Sequence, residues 1–280
     1  MLPLWFFRHS ACSLILMLLF PLTLHAEIED DSFASTLKKL DEQMASQAVA
    51  PLKNSKDDLL LAVRLYQSGV PIDRLRAYRL FKSSAEQGNV SAQYVVGWMY
   101  RVGEGVPKSA SEAIRWYVKA AEKGHLDAMF SLGVMYDVTV EVPENRKMAI
   151  YWYTKAAEKG HASSQLNLGS IYYNHVGDYF EAYRWYREAA KKGYSPAEYN
   201  LGLLCSRGHG TILNLATAER WFRKAAEHGN SAAQVALGRM YQKGLGVRTD
   251  LKEAISWYQK AADQGNRNGK SALEEVSENQ

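Results

Sequence analysis

Seven histidines, two cysteines and 30 carboxylates are the raw material for chemistry in this 280-residue chain, and their spacing decides what they can do. His125 and His161 each follow a glycine and lie 36 residues apart. In a chain of stacked units, equivalent positions are held a whole unit apart, too far to share one metal ion. A structural role at the start of a helix is the expectation for both. His175, His209 and His228 have no second His or Cys at ligand spacing. Gly103-Glu104-Gly105 and Gly244-Leu245-Gly246 resemble phosphate loops on paper, but neither is followed by the Lys-Ser or Lys-Thr that would reach the phosphates. They read as turns. Neither a Gly-x-Ser-x-Gly elbow nor a His-Glu-x-x-His zinc helix occurs. Glu122, Glu158 and Glu227 recur at one position of a repeated string, as residues of a solvent face do, so no catalytic pair can be argued from them. The chain is therefore expected to carry no catalytic residue, metal or cofactor.

The elements that position these side chains are revealed by self-similarity. The string Trp116-Tyr117-Val118-Lys119-Ala120-Ala121-Glu122-Lys123-Gly124 returns at residues 152–160, 185–193, 221–229 and 257–265, and more weakly at 80–88. The closing glycines Gly88, Gly124, Gly160, Gly193, Gly229 and Gly265 are therefore 36, 36, 33, 36 and 36 residues apart. Ala113, Trp116, Tyr117, Ala120 and Ala121 share one face of a helix of period 3.6, which we call helix B. A second string, Ala92-x-x-x-Val96-Gly97-x-x-Tyr100, recurs at 128–136, 164–172, 197–205 and 233–241 and predicts helix A.

The two kinds of glycine in this repeat have different physical reasons. The glycine closing helix B can adopt the left-handed conformation that caps the last carbonyls and reverses the chain. Gly97, Gly133, Gly169, Gly202 and Gly238 lie inside helix A, where glycine costs about 1 kcal/mol against alanine. The expectation is that the bulky Trp and Tyr of helix B pack over these missing side chains, large against small. Glycine-rich turns join A to B in three units, at 103–106, 208–211 and 244–247. Residues 138–143 contain no glycine, and the fourth unit is three residues shorter around Gly177-Asp178, so these two connections should differ in shape. Such departures mark either a loop recruited for binding or plain drift.

Composition agrees with a folded, water-soluble protein: 47% hydrophobic and 23% charged residues. Residues 1–26 stand apart, with Arg8 and His9 before an uncharged run at 11–24 and Ala26 at the end, the layout of a secretory signal. The run is shorter than the ~20 residues of a membrane-crossing helix, and Pro21 lies near its end. Cleavage after Ala26 is the favoured reading; an uncleaved anchor, with Trp5-Phe6-Phe7 at the membrane interface, is the alternative. Cleavage leaves 33 basic and 30 acidic residues, spread through the repeats rather than massed as a nucleic-acid footprint. It also removes Cys12 and leaves only Cys205, which replaces the core Tyr of helix A. Cys205 is thus expected to be a small buried hydrophobe, with an intermolecular disulfide as the alternative.

The pattern A-x-x-x-L-G-x-x-Y-x-x-G-x-G-V followed by A-x-x-W-Y-x-K-A-A-x-x-G resembles the Sel1-like repeat family, a relative of the tetratricopeptide repeat. Residues 233–247 and 254–265 reproduce it almost in full. The resemblance spans about residues 56–265, with 56–88 a degenerate first unit in which Leu80-Phe81 stand for Trp-Tyr. Residues 27–55 read as an acidic segment and a capping helix at 32–48, and 266–280 as a terminal cap. The resemblance implies an all-α fold, an α/α solenoid of about five to six helix-turn-helix repeats of about 36 residues wound into a right-handed superhelix with a concave face. It also implies a scaffold or adaptor that binds other proteins.

By similarity to tetratricopeptide units, the groove-facing positions fall two after the Ala, one after the Gly and one after the Tyr of helix A. Tyr94, Trp98, Arg101, Phe130 and Tyr199 are the leading candidates, because aromatic and arginine residues dominate binding hot spots. Asp137, Tyr173 and Arg239 occupy the same register. Packing against the next repeat is the competing role for the aromatics, least so for Trp98, which no other unit shares.

The resulting expectation is a periplasmic, possibly secreted, scaffold with an unknown protein partner and no nucleic acid. Within the family, two other functions stand as alternatives. One is an immunity protein neutralising a periplasmic lipase-type toxin. The other is a weak hydrolase of cell-wall or penicillin-related compounds. The cysteine-rich branch that binds penicillin-like compounds keeps a cysteine pair in each repeat, and this chain lacks it, which weakens the hydrolase reading.

Overall fold

The computed structural model describes residues 55–138 and 145–278. The signal-like segment, the acidic segment, the expected capping helix at 32–48 and most of the glycine-free connection lie outside them. The chain falls into two compact units divided between His125 and Leu126. Among the described residues there are thirteen α-helices and no strand. The first unit holds α1 (Ser55–Gln67), α2 (Pro71–Glu86), α3 (Val90–Val102) and α4 (Ala110–Glu122). The second holds α5 (Leu126–Val138), α6 (Arg146–Glu158), α7 (Ala162–Ile171), α8 (Tyr179–Ala190) and α9 (Ser195–Arg207). It continues with α10 (Leu215–Glu227), α11 (Ser231–Lys243), α12 (Leu251–Asp263) and α13 (Arg267–Glu278). Odd-numbered helices from α3 to α11 are helix A, and even-numbered ones from α4 to α12 are helix B.

Each helix is bounded by chemistry legible in the chain. Ser109, Asn145, Asp178, Asn214 and Asp250 cap the B helices by accepting a backbone N–H three residues on. The closing glycines have φ between 72° and 97°. The residue after the glycine donates its N–H back to the last turn, as in Asn89 to Ser84, His125 to Ala120 and Asn230 to Ala225, which is the Schellman closure.

The large-against-small packing is present, but with one partner rather than two. A Cβ added at Gly97 would stand 2.6 Å from the Tyr117 ring, and at Gly202 2.5 Å from the Phe222 ring. Gly133, Gly169 and Gly238 meet Tyr153, Tyr186 and Tyr258 in the same way. The nearest atoms at each of these glycines belong to the Tyr or Phe ring and none to the tryptophan before it. Lys119, Lys224 and Lys260 lie over the rings of Trp116, Trp221 and Trp257 at 4.0, 4.7 and 3.9 Å, a cation–π contact three residues along the same helix.

The A-to-B turns show why the second glycine of each Gly-x-Gly is there. Gly105, Gly210 and Gly246 all have positive φ, and a Cβ would collide with the backbone of Arg74, Tyr179 and Leu215, at the start of the preceding B helix. Each of these turns is therefore seated on the previous repeat. The shortened fourth unit does differ: α7 runs into a π-helical turn, Tyr172–Val176, closed by Gly177 at φ 77°, and only Asp178 precedes α8. In the other irregular unit Val138 is still helical. The last helix, α13, buries Gly269, Ala272 and Val276 and exposes the polar residues between them.

Candidate protein-binding surface

Helix A reaches its register through a buried polar contact that spacing alone did not suggest. Gln93, Gln165 and Gln234 are 4% exposed, and each donates from its side-chain amide to a carbonyl eight residues earlier, those of Ala85, Ala157 and Ala226, at 2.9–3.1 Å. This ties the start of helix A to the end of the preceding helix B, as a second hydrogen bond on a carbonyl that already accepts the N–H of the closing glycine. In the fifth unit Glu198 holds this position, and its carboxylate lies 2.7 Å from Nδ1 of His228. The residue directly after the Ala, invisible in the apolar stripe, was the signal that could have found it.

The histidines serve structure. Nδ1 of His161 accepts the backbone N–H of Ser164 at 3.2 Å, capping α7 as Asn89 and Asn230 cap α3 and α11. Its Nε2 lies 3.4 Å from Asp127. His125 stacks on Tyr94 with ring centroids 4.6 Å apart. Cys205 is buried in a cluster with Phe222 and Leu237, and burial pushes its thiol pKa up, so that it stays protonated and unreactive.

In the first unit the positions singled out by register are largely interior. Tyr94 packs on Tyr117 as well as His125 and is 3% exposed. Trp98 is 8% exposed and meets Tyr66 edge to face at 5.9 Å. The large ring fills the space beside the degenerate first unit, which is a physical reason for its being unshared. Arg101 is half-buried, and its Nε has no hydrogen-bond partner.

In the second unit the same register is more varied, with Val134 and Val235 buried and Arg239 exposed. Phe130 is buried against Tyr153 and His161, while Asp137 is half-buried and raises the pKa of Tyr153 behind the larger effect of burial. Tyr199 is half-buried against Phe222, and Arg239 is exposed. Tyr173 lies at the centre of a polar cluster. Its hydroxyl accepts from Nη1 of Arg207 at 2.8 Å and lies 3.3 Å from Nδ1 of His209, and Tyr179 stacks on His209 at 4.3 Å. Arg207 ends α9, His209 lies in the turn after it and Tyr179 begins α8, all outside the helix-A register, so the periodic reading did not reach them. Such a cluster can donate and accept hydrogen bonds and offers aromatic faces.

Comparison with known proteins agrees with this geometry. The Sel1 repeat matches residues 59–89, 90–125, 126–161, 162–194, 195–230 and 231–266, so the degenerate first unit counts as a sixth repeat. No curated protein matches the chain. Among solved structures, the chain is similar to c5321, a protective antigen present in uropathogenic Escherichia coli strains that displays an SLR fold. Identity is 36%, with a TM-score of 0.72 and 88% of this chain covered. The chain spans only 53% of that antigen's length. It is also similar to a Sel1 repeat protein from Oxalobacter formigenes, at 33% identity and a TM-score of 0.67, with 78% of this chain and 86% of that one covered. Proteins built from this repeat are commonly interaction scaffolds rather than catalysts. With six consecutive repeats and this likeness, the chain belongs to the Sel1 repeat family.

Proposed function

We propose that the protein is an exported, periplasmic scaffold that holds a partner protein on the helix-A face of its second unit. The observation that carries this reading is the Tyr173–Arg207–His209 cluster, beside a register in which Tyr199 is half-buried and Arg239 exposed. Tyrosine and arginine supply most binding hot spots because they combine apolar area with directional donors. Trp98 and Phe130 contribute as the packed support under this register rather than as its contact surface. Export rests on the composition of residues 1–26.

The test is affinity capture from a native envelope fraction with the wild-type chain and with the Tyr173→Ala/Arg239→Ala variant. The variant is expected to keep its helicity and melting temperature while losing the partner. Retained capture sinks the assignment of this face. Cell fractionation tests export separately: recovery of the chain in the cytoplasm contradicts it.

A further inference from the structure

Large apolar side chains that stay exposed in the second unit are gathered on one edge. Phe180 is 67% exposed, Ile212 85%, Leu213 58% and Val176 50%, and Tyr179, Leu245 and Leu251 are also exposed. All seven belong to an A-to-B turn or to the first turn of the B helix after it. Among the described residues of that unit, Tyr151 is the one further exposed large hydrophobe. Because Gly210 is pressed onto Tyr179 and Phe180, and Gly246 onto Leu215, the turns of the fourth, fifth and sixth repeats form one stacked row. The apolar tips therefore line one edge, and exposed apolar side chains gathered on one edge mark a contact surface.

The charge on the row points to the kind of surface it meets. Arg248 lies on one of these turns and Arg207, Lys243 and Lys252 at the helix ends beside them; all are exposed, none is ion-paired among the described residues, and Arg207 donates to Tyr173. Four acids share these helix starts, and each is held within the protein: Asp178 and Asp250 cap α8 and α12, Glu181 pairs with Arg184 at 3.1 Å, and Glu253 accepts from Nε1 of Trp257 at 3.0 Å and lies 4.0 Å from Arg223. The B helices α8, α10 and α12 also begin at this edge, adding the positive ends of their dipoles.

We propose that this edge is a peripheral contact surface for an anionic phospholipid bilayer. A row of separate projecting tips, ringed by cations, matches the boundary between headgroups and acyl chains, where apolar side chains enter by about 5–10 Å and lysine or arginine meets phosphate. A bound peptide would instead need a groove to bury its own apolar side chains. The contact is reversible, since among the described residues no helix is long and apolar enough to cross a membrane. It adjoins the helix-A face at Tyr179 and Arg207, while Phe180, Ile212, Leu213, Arg248 and Lys252 belong to the edge alone.

The experiment is flotation of the intact purified chain with vesicles of phosphatidylcholine alone and of phosphatidylcholine mixed with phosphatidylglycerol. Binding is expected to the anionic vesicles, to weaken with salt, and to be at least about tenfold poorer on the neutral ones. Ile212→Ser/Leu213→Ser changes only exposed side chains, so its circular dichroism should be unchanged, and its binding should fall about tenfold or more. Arg248→Glu/Lys252→Glu should weaken binding by about fivefold or more per charge. No binding to either vesicle, equal binding to both, or a serine variant that binds like wild type overturns the proposal. Loss of a captured protein partner by the serine variant, without vesicle binding by the wild type, assigns the edge to a protein and overturns it too. None of these outcomes depends on Tyr173 or Arg239, so failure here is separate from failure of the helix-A reading.

Discussion

Gly238 lies against the ring of Tyr258 so closely that a Cβ at 238 would stand 2.6 Å from Cε1. Tyr258 cannot swing aside, because it is fully buried and its hydroxyl donates to Gln242 at 2.7 Å. Two effects oppose each other in Gly238→Ala. The better helix former gains about 1 kcal/mol, and the forced repacking of a dense core costs about 1–3 kcal/mol. The ring is rigid and hemmed in, so the second effect is expected to win. The urea midpoint of Gly238→Ala should fall, and an unchanged or higher midpoint would contradict the packing argument.

Glu198 occupies a site that three other repeats fill with a buried glutamine. The carbonyl eight residues before it belongs to Ala190, equivalent to the acceptors that Gln93, Gln165 and Gln234 use. Glu198→Gln gives up the contact with the half-exposed His228 and removes a buried charge. It gains a neutral hydrogen bond worth about 1 kcal/mol. Stability is expected to hold or rise by about 1 kcal/mol, whereas Glu198→Ala should lower it. A glutamine variant less stable than the alanine one would show that the His228 pair carries the site.

Alkaline pH is expected to destabilise the fold through its tyrosines. Burial, reinforced by the hydrogen bond shared with the Tyr78 hydroxyl at 2.6 Å, pushes Tyr100 up to about 12, and burial pushes Tyr258 up to about 12, from an ordinary value of 10.0. Between those values the native state holds protons that the unfolded chain has released. Stability therefore falls as pH rises from about 10 to about 12 and is unaffected by these groups below about 10. Melting temperatures across this range should decline, and ultraviolet absorption of tyrosinate should appear later in the native than in the urea-unfolded chain. Coincident titrations would remove the argument.

Much of the architecture was readable from spacing, because a repeat states its own constraints several times. The closing glycines, the glycine inside helix A and the apolar stripe of helix B all recur at fixed offsets, so each inference was checked within one chain. The tryptophan is where spacing misled. Trp116 and Tyr117 are adjacent on the same apolar face, and only the rotation of helix B about its axis places the tyrosine ring, not the indole, over the glycine. The buried Gln of helix A was missed because a polar residue breaks an apolar pattern even when its amide closes a helix end.

For binding, the sequence by itself determined which residues share the helix-A register, since a period of 3.6 sets the face of any helix. It did not determine which of them meet solvent. Tyr66 buries Trp98, and Arg207 and His209 reach Tyr173 from thirty-odd residues away. Exposure depends on what the neighbouring repeat places alongside, and each repeat places something different. The helices and their faces are local and follow from the chain; the surface left for a partner is a product of stacking, and only the tertiary structure decides it.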